Sequence, residues 1–369
     1  EPVPADRPMS DATTRDATLL LQTVWCREEP ARVGQFLQPG PTVRSIGRDP
    51  GPDALPWQVV DGGQLTRVDG PRSTRVSRRQ LEVMAQGMGV AIRNVGRRAL
   101  HLNGEPIQEG VAGPGDVVAI DGEVAWRVLH RPLLHPYQRQ ARLAAGHEDA
   151  GGFVGDSVPL WTLRAGVARH GNFRGVLGVI APPGTRPARI AHMLHVHAGR
   201  PGKAVRWEPA DPPPPRHATV YLRSVQLPRA LARLPQRSDL RWVVMDALGD
   251  EGWPILRMPG LDSRREDIPA ILRARLLRLS LDEPADMSRY LLENGEVKIG
   301  LDLVLQLQEW PFERHNEELD ELLWRSVWNS PRSRLSAVSQ ATNVRTAAWE
   351  SFEDELELEG EPIDIDLDL

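Results

Sequence analysis

Residues 178–195, GVIAPPGTRPARIAHMLH, carry most of the ingredients of a phosphate cradle. A short apolar stretch leads into a glycine-containing turn, and an amphipathic helical pattern follows. That order aims helix N–H groups and the positive end of a helix dipole at an anion. A nucleotide-binding P-loop, G-x-x-x-x-G-K-[ST], also needs a lysine just before the helix. This chain has Arg186 and Pro187 there. The question is whether the cradle works, is ruined, or is an unrelated turn.

Other chemistry finds less support. His192, His195 and His197 lie close together in HMLHVHAG, but no cysteine or acidic third ligand is near. The helical phase turns part of the group toward a core, so these read as structural or surface histidines rather than a metal site. G-x-S-x-G, H-E-x-x-H and paired cysteines do not occur, which leaves hydrolase and zinc-enzyme readings without support. No metal and no cofactor is expected. The eleven tryptophans read as packing anchors.

A chain of 369 residues with 40% apolar and 26% charged residues suits two or three soluble domains with real cores. The single cysteine, Cys26, cannot form an internal disulfide, so nothing argues for an oxidising compartment. No uncharged apolar run approaches the roughly 20 residues of a membrane span. The start, EPVPADRPMSDATTRD, is charged and lacks an apolar h-region, and Met9 is a candidate natural start. The cytoplasm is the expected location, with no membrane partner. The net charge of -5 divides unevenly, because residues 350–369 hold ten acids and no base, which leaves +5 on the rest. That body charge is weak support for nucleic acid. The tail is expected to be disordered, and its charge could fold back over an arginine-rich site as a pseudo-substrate.

Two grammars follow along the chain. After a polar leader at 1–18, short apolar runs such as PTVRSIGR, RQLEVMAQG, GVAIRNVG and DVVAIDGEVAWRVLH are punctuated by glycine, proline and asparagine. That pattern predicts an antiparallel all-β sandwich over 19–132. A linker at 133–152 leads into strands alternating with helical patterns over 153–330, the sign of an α/β domain. VPLWTLRAGVARH, RIAHMLHVHAG, REDIPAILRARLLRLSL, GLDLVLQLQEW and NEELDELLWRSVWNS read as helical. RGVLGVIA, KAVRWEPA, ATVYLRSV and LRWVVMDA read as strands. PADPPPPRH is a stiff polyproline connection, and residues 331–369 form the acidic tail.

Gly47-Arg48, Ser77-Arg78, Asn103-Gly104 and Gly115-Asp116 stand in an order that resembles the forkhead-associated (FHA) domain. That family is a β-sandwich whose loops bind phosphothreonine peptides, and the resemblance covers roughly residues 20–130. It implies that Arg48 contacts the phosphate or the peptide backbone and that Ser77 and Arg78 bind the phosphate oxygens, with Arg97, Arg98 and Asn103 on the same site. Guanidinium groups with short neutral donors suit a phosphate dianion. Two positions depart from the family. Gln80 stands where a loop-bracing histidine is usual, which puts the order of the loop in question. Arg98 stands where an asparagine grips the peptide main chain, and a guanidinium cannot offer the amide's paired donor and acceptor. Charge could then keep affinity while selectivity relaxes.

The second domain resembles the AAA+ module of sigma-54-dependent transcriptional activators over 153–328. FVGDSVPLWTLRAGVARHG, SRREDIPAIL and QEWPFERHNEELDELL match its opening, a mid-domain segment and its lid in order. The resemblance places Gly184 and Thr185 at the end of the P-loop and Pro187 at the lysine, with Arg186 beside it. Arg223 and Ser224 fall on the Walker B aspartate and glutamate, and Glu317 is nearest the lid's sensor arginine. ATP hydrolysis needs that lysine, a metal-binding carboxylate and a water-orienting glutamate. Three reversals in one site make it a relic kept as scaffold, so no enzyme is expected. The loop that touches sigma-54 and a following helix-turn-helix are both missing from the pattern, so direct DNA binding is not expected.

The expected fold class is therefore multidomain, an all-β FHA-like sandwich followed by an α/β AAA+-like domain with a small helical lid. The expected function is a bacterial phosphothreonine-dependent signalling adaptor. Its partner is a phosphothreonine-containing protein, a Ser/Thr kinase or a kinase substrate, with an AAA+ partner or self-association as a further contact. Two alternatives stay open: a sigma-54-class regulator that still binds nucleotide or joins active AAA+ partners, and an interaction platform using neither ancestral site. An ordinary α/β fold over 153–328 is the plain alternative to the second resemblance.

Overall fold

The computed structural model describes residues 17–29, 32–61, 64–137, 152–200, 204–208, 210–234, 237–272, 274, 306–307, 310–316, 318–319 and 322. The leader up to 16, most of the linker, the helical runs over 275–305 and beyond 322, and the acidic tail lie outside them. Two compact units emerge, one drawn from 1–149, 153–165 and 259–312, the other from 150–152, 166–258 and 313–369.

The first unit is a two-sheet antiparallel sandwich. Its strands are β1 (Ala17–Cys26), β2 (Phe36–Leu37), β3 (Arg44–Ile46), β4 (Trp57–Asp61), β5 (Gln64–Val68) and β6 (Leu81–Gln86). The chain continues with β7 (Gly89–Asn94), β8 (Leu100–Leu102), β9 (Glu105–Ile107), β10 (Glu109–Ala112), β11 (Val117–Ile120) and β12 (Val124–Pro132). The larger sheet runs β5-β4-β2-β1-β12-β11-β8-β9, and the smaller runs β10-β7-β6-β3. Alternating side chains explain the core: Leu21, Val83, Ile92 and Trp126 all point into the space between the sheets, as a period of two requires. Trp57 and Trp126 meet there with ring centroids 5.9 Å apart.

The long strands β1 and β12 are buried on both faces, which explains why LLLQTVWC shows no alternation. Leu20, Phe36, Val60 and Leu129 form a second cluster on the outer face. On the same strand β12, Arg131 pairs with Glu266 at 3.0 Å. The segment carrying Glu266 also supplies Asp267, whose carboxylate accepts the N–H groups of Asp156 and Ser157 at 2.8 and 2.9 Å and the Ser157 hydroxyl. Ser157 in turn caps α1 (Val158–His170), the role its hydroxyl is suited to.

Burial, with the neighbouring charge of Glu266, pushes the Asp267 carboxyl up to about 7. Raised above its unfolded value, the group opposes folding only when it must ionise. The penalty is absent below about pH 4, grows between there and pH 7, and is complete above. Asp267→Asn keeps the amide-facing oxygen and loses the charge. Thermal unfolding at pH 5 and pH 8 should show a falling midpoint for wild type and a flatter one for Asp267→Asn; parallel curves would contradict this account.

The second unit is an α/β domain around one parallel sheet. β13 (Gly175–Ile180) lies between β16 (Arg241–Val244) and β17 (Ile255–Arg257), with β15 (Thr219–Leu222) and β14 (Val205–Arg206) completing the order β14-β15-β16-β13-β17. Helix α2 (Ala188–His197) follows β13, and α3 (Leu227–Arg233) follows β15. Val220, Leu222, Leu227, Ala230 and Trp242 form the core on one side. Trp207 stacks edge-on against Trp242 at 6.2 Å, so these tryptophans are packing anchors. Two elements go beyond the sequence reading. Strand β17 is three residues long in a stretch crowded by Pro254 and Pro259, too short to show a pattern. Helix α3 had a legible sign, Pro228 in its first turn, where a missing N–H does no harm. REDIPAIL enters through the end of a 3-10 helix over Leu261–Asp267 and is α-helical over 268–272.

Among the described residues, no helix is long and apolar enough to cross a membrane.

Candidate functional site

One end of the sandwich gathers three loops: 47–50 after β3, 71–80 before β6 and 95–99 between β7 and β8. Backbone contacts stitch the first two together. Arg48 N–H donates to the Ser77 carbonyl at 3.2 Å, and Asp49 N–H to the Arg78 carbonyl at 3.3 Å. The approach depends on Gly47, because a Cβ there would stand 2.0 Å from the Arg78 carbonyl oxygen. The third loop is joined by Ser77, whose hydroxyl accepts the Arg97 N–H at 3.1 Å.

Gln80 braces all of this from below. Fully buried, its side-chain oxygen accepts the Ser77 N–H at 3.2 Å, and its amide donates to Asn94 Oδ1 at 2.8 Å and to the Arg98 carbonyl at 2.9 Å. Asn94 adds a second donor to that carbonyl at 2.8 Å. The bracing role therefore passes to a Gln80–Asn94 pair, and the loops keep their hydrogen bonds without a histidine. Sequence reasoning missed Asn94. The available signal was a polar residue on the inward face of β7, in phase with Val90 and Ile92.

The arginines sort into two kinds. Arg48, Arg78 and Arg97 are exposed, and among the described residues none of their guanidinium groups makes a hydrogen bond or an ion pair. Arg98 is committed differently: its Nε donates to the Arg75 carbonyl, and its terminal nitrogen lies 3.7 Å from Glu123. Asn103 is drawn into the β8–β9 turn at φ 52°. Its amide donates to Asp116 at 2.9 Å and its oxygen accepts the Val117 N–H at 2.8 Å. Ser77, Arg48, Arg78 and Arg97 thus converge through their loops, while Asn103 serves the approach to β11.

In the second unit, loops after β13, β15 and β16 meet at the carboxyl end of the parallel sheet, where such folds bind ligands. Each group is occupied by the protein itself. Gly184, at φ +70°, faces backbone: a Cβ there would stand 1.9 Å from the Arg314 carbonyl oxygen. The buried Thr185 hydroxyl donates to the Pro182 carbonyl. Arg186 takes positive φ, and Pro187 begins α2 with no N–H. Arg223 is exposed at the end of β15, and its N–H is held by Gln226 at 2.9 Å, while the Ser224 N–H is held by Asp246. Glu317 lies outside the described residues. His195 is buried in α2, and among the described residues no group of three His, Cys, Asp or Glu side chains could hold a metal ion.

Gly184→Ala should therefore destabilise the second unit by about 1–3 kcal/mol, from overlap and a strained φ. Urea unfolding would detect it, and an unchanged midpoint would show that the 313–316 backbone does not close this turn.

No family model and no curated protein matches the chain. Among solved structures it is similar to the FHA domain of FhaA, complexed with the intracellular domain of a second protein, at 22% identity. That match covers 30% of this chain and 99% of the other, with a TM-score of 0.22. It is also similar to the N-terminal FHA domain of S. cerevisiae Rad53p in complex with a phosphothreonine peptide, at 12% identity, covering 27% and 73% of the two chains with a TM-score of 0.18. A third match is NtrX from Brucella abortus in complex with ADP, at 16% identity and a TM-score of 0.35, covering 47% of this chain and 49% of that one. The chain thus spans about half the length of NtrX. These are likenesses of fold.

Proposed function

We propose that this protein is a phosphothreonine-dependent signalling adaptor. The sandwich over 19–132 is its reader, and the α/β domain over 153–330 is a scaffold without ATP turnover. The observation that carries the reading is the set of Arg48, Arg78 and Arg97: three exposed guanidinium groups without a protein partner among the described residues, on loops locked backbone to backbone around Ser77. These groups keep their donors open to a solvent-borne anion, and guanidinium forks suit phosphate oxygens. A rigid sandwich presenting these groups on loops is where functional residues commonly lie.

The scaffold reading rests on the other phosphate position. Arg223 brings a cation to the place where a magnesium ion would need a carboxylate, and the Arg314 backbone closes on Gly184. Hydrolysis there lacks its lysine, its metal ligand and its water-orienting acid. The partner is a phosphothreonine-containing protein in a kinase pathway.

A library of phosphothreonine peptides, each paired with its unphosphorylated twin, tests the reader. Saturable binding confined to phosphorylated members is expected, and equal or absent binding of both would refute it. Thermal shift with magnesium-ATP tests the scaffold: no stabilisation is expected, whereas a saturable rise would support the nucleotide-binding regulator instead.

A further inference from the structure

We infer that residues 212–216, PPPPR, form a separate recognition surface on the second unit: a preformed polyproline ridge presented to the aromatic-lined, acid-rimmed groove of a partner protein domain. The ridge follows from covalent geometry. Each proline ring fixes its own φ at about −65° and bars the helical region to the residue before it. Four in a row, each joined by a trans bond, hold 211–214 in polyproline II, a helix of about three residues per turn and about 3.1 Å of rise.

Such a turn gives the segment three edges. Asp211 and Pro214 share one, and it is seated on the domain: Pro214 is buried, and the Asp211 carboxylate accepts the Glu208 N–H at 2.7 Å. The backbone is tied down beside it. Trp207 Nε1 donates to the Pro212 carbonyl at 3.1 Å, and Arg237 donates to the carbonyls of Pro214 and Pro215 at 3.0 and 2.8 Å. Asp239 holds Arg237 in turn at 2.7 Å. The other two edges face solvent. Pro212 and Pro215 stand on one, about 9 Å apart along the axis, and Pro213 stands on the other. All three are exposed, as is Arg216 immediately after the run.

The run joins β14 to β15, a parallel crossover of the kind a helix usually makes. Stiffness alone would explain Pro214 and the anchored carbonyls, but not three rings left in solvent. Exposed prolines on a fixed backbone suit a groove lined by aromatic side chains, because the ligand is already ordered and loses little conformational entropy on binding. The Pro213 carbonyl makes no hydrogen bond among the described residues, so it stays open to a donor of the partner. Charge sets the character of the groove. Glu208 is paired with Arg206 at 3.1 Å and Asp239 with Arg237, whereas the Arg216 guanidinium has no partner among the described residues. The sequence from 200 to 241 holds nine Lys and Arg against three Asp and Glu, so the complementary rim is acidic.

Titration of the full chain with a panel of purified WW and SH3 domains tests the ridge, since both read polyproline II. Saturable binding of at least one acid-rimmed member is expected, and Pro212→Ala/Pro215→Ala should weaken it by about fivefold or more. Those alanines keep the carbonyls that Trp207 and Arg237 hold. Arg216→Glu should weaken binding as much. Arg257→Glu makes the same charge change on β17, at the opposite edge of the sheet from β14, and should stay within twofold of wild type. Binding by no member, binding that survives the two alanines, or an equal loss in Arg257→Glu overturns the proposal. Light scattering over a concentration series addresses a second copy as the occupant: self-association lost in Pro212→Ala/Pro215→Ala overturns the assignment to a partner domain. Equal melting of variants and wild type establishes that they fold. Should the alanines lower the melting point, Arg216→Glu, a change at an exposed side chain, decides alone.

Discussion

Gln80→Ala is expected to destabilise the sandwich by about 2–4 kcal/mol and to disorder the loops that carry Arg48, Arg78 and Arg97. The side chain is fully buried and all three of its described hydrogen bonds go to those loops or to Asn94. Truncation removes the donors to Asn94 Oδ1 and the Arg98 carbonyl and leaves the Ser77 N–H without its acceptor. Each buried polar group so stranded costs about 1–3 kcal/mol, and the void beneath Gly96 adds to it. Denaturant unfolding should move to a lower midpoint, with hydrogen exchange speeding up at Ser77 and Gly96. An unaltered midpoint would mean that the loops hold each other without the brace. Gln80→Glu is an informative companion, because it preserves shape but turns a donor into an acceptor opposite the Arg98 carbonyl.

Arg241→Met is expected to destabilise the second unit by about 3–5 kcal/mol. Arg241 opens β16 and is fully buried, and among the described residues its guanidinium meets carbonyls rather than a carboxylate. Its three nitrogens donate to the carbonyls of Phe173 at 3.0 Å, Leu194 at 2.7 Å and Gly171. Burial, and secondarily the charge of Arg200, lowers its guanidinium to about 10, still far above neutral pH, so the charge is retained. What compensates it is geometry: Gly171 follows α1 and Leu194 lies in the last turn of α2, where the dipole end is negative, although the Leu194 carbonyl also accepts the Ala198 N–H. Methionine fills space but leaves the Phe173 and Gly171 carbonyls without the guanidinium donor, and each stranded buried acceptor costs about 1–3 kcal/mol. Arg241→Lys should fare little better, since one ammonium cannot reach three diverging acceptors. Urea unfolding of both variants checks this, and a loss below about 1 kcal/mol would mean that water replaces the guanidinium.

How much of this was legible in the sequence differs by element. Alternation in LEVMAQ and GVAIRN revealed the smaller sheet, because one face of each strand meets the core. β1 gave no such sign, since its outer face is covered as well, with Leu20 packed among Phe36, Val60, Leu129 and Leu134. The parallel strands were legible as apolar runs, while β17 was too short to register. At the site, residue types announced the loops at Arg48, Ser77 and Arg78. They did not announce that Arg98 turns to Glu123, or that Asn103 serves its own hairpin, because a side chain's direction depends on which partner tertiary packing supplies. Glu123 was invisible for the same reason: one acid in a turn gains meaning only when Arg27, Arg75 and Arg98 converge on it.

The central claim is that phosphate belongs to the front of the sandwich. Calorimetric titration of the best-binding phosphothreonine peptide into wild type and Arg78→Ala tests it most directly. The account predicts saturable, one-to-one binding to wild type and a loss of at least tenfold in the variant, with unchanged thermal unfolding. Equal affinity in the two proteins would contradict it.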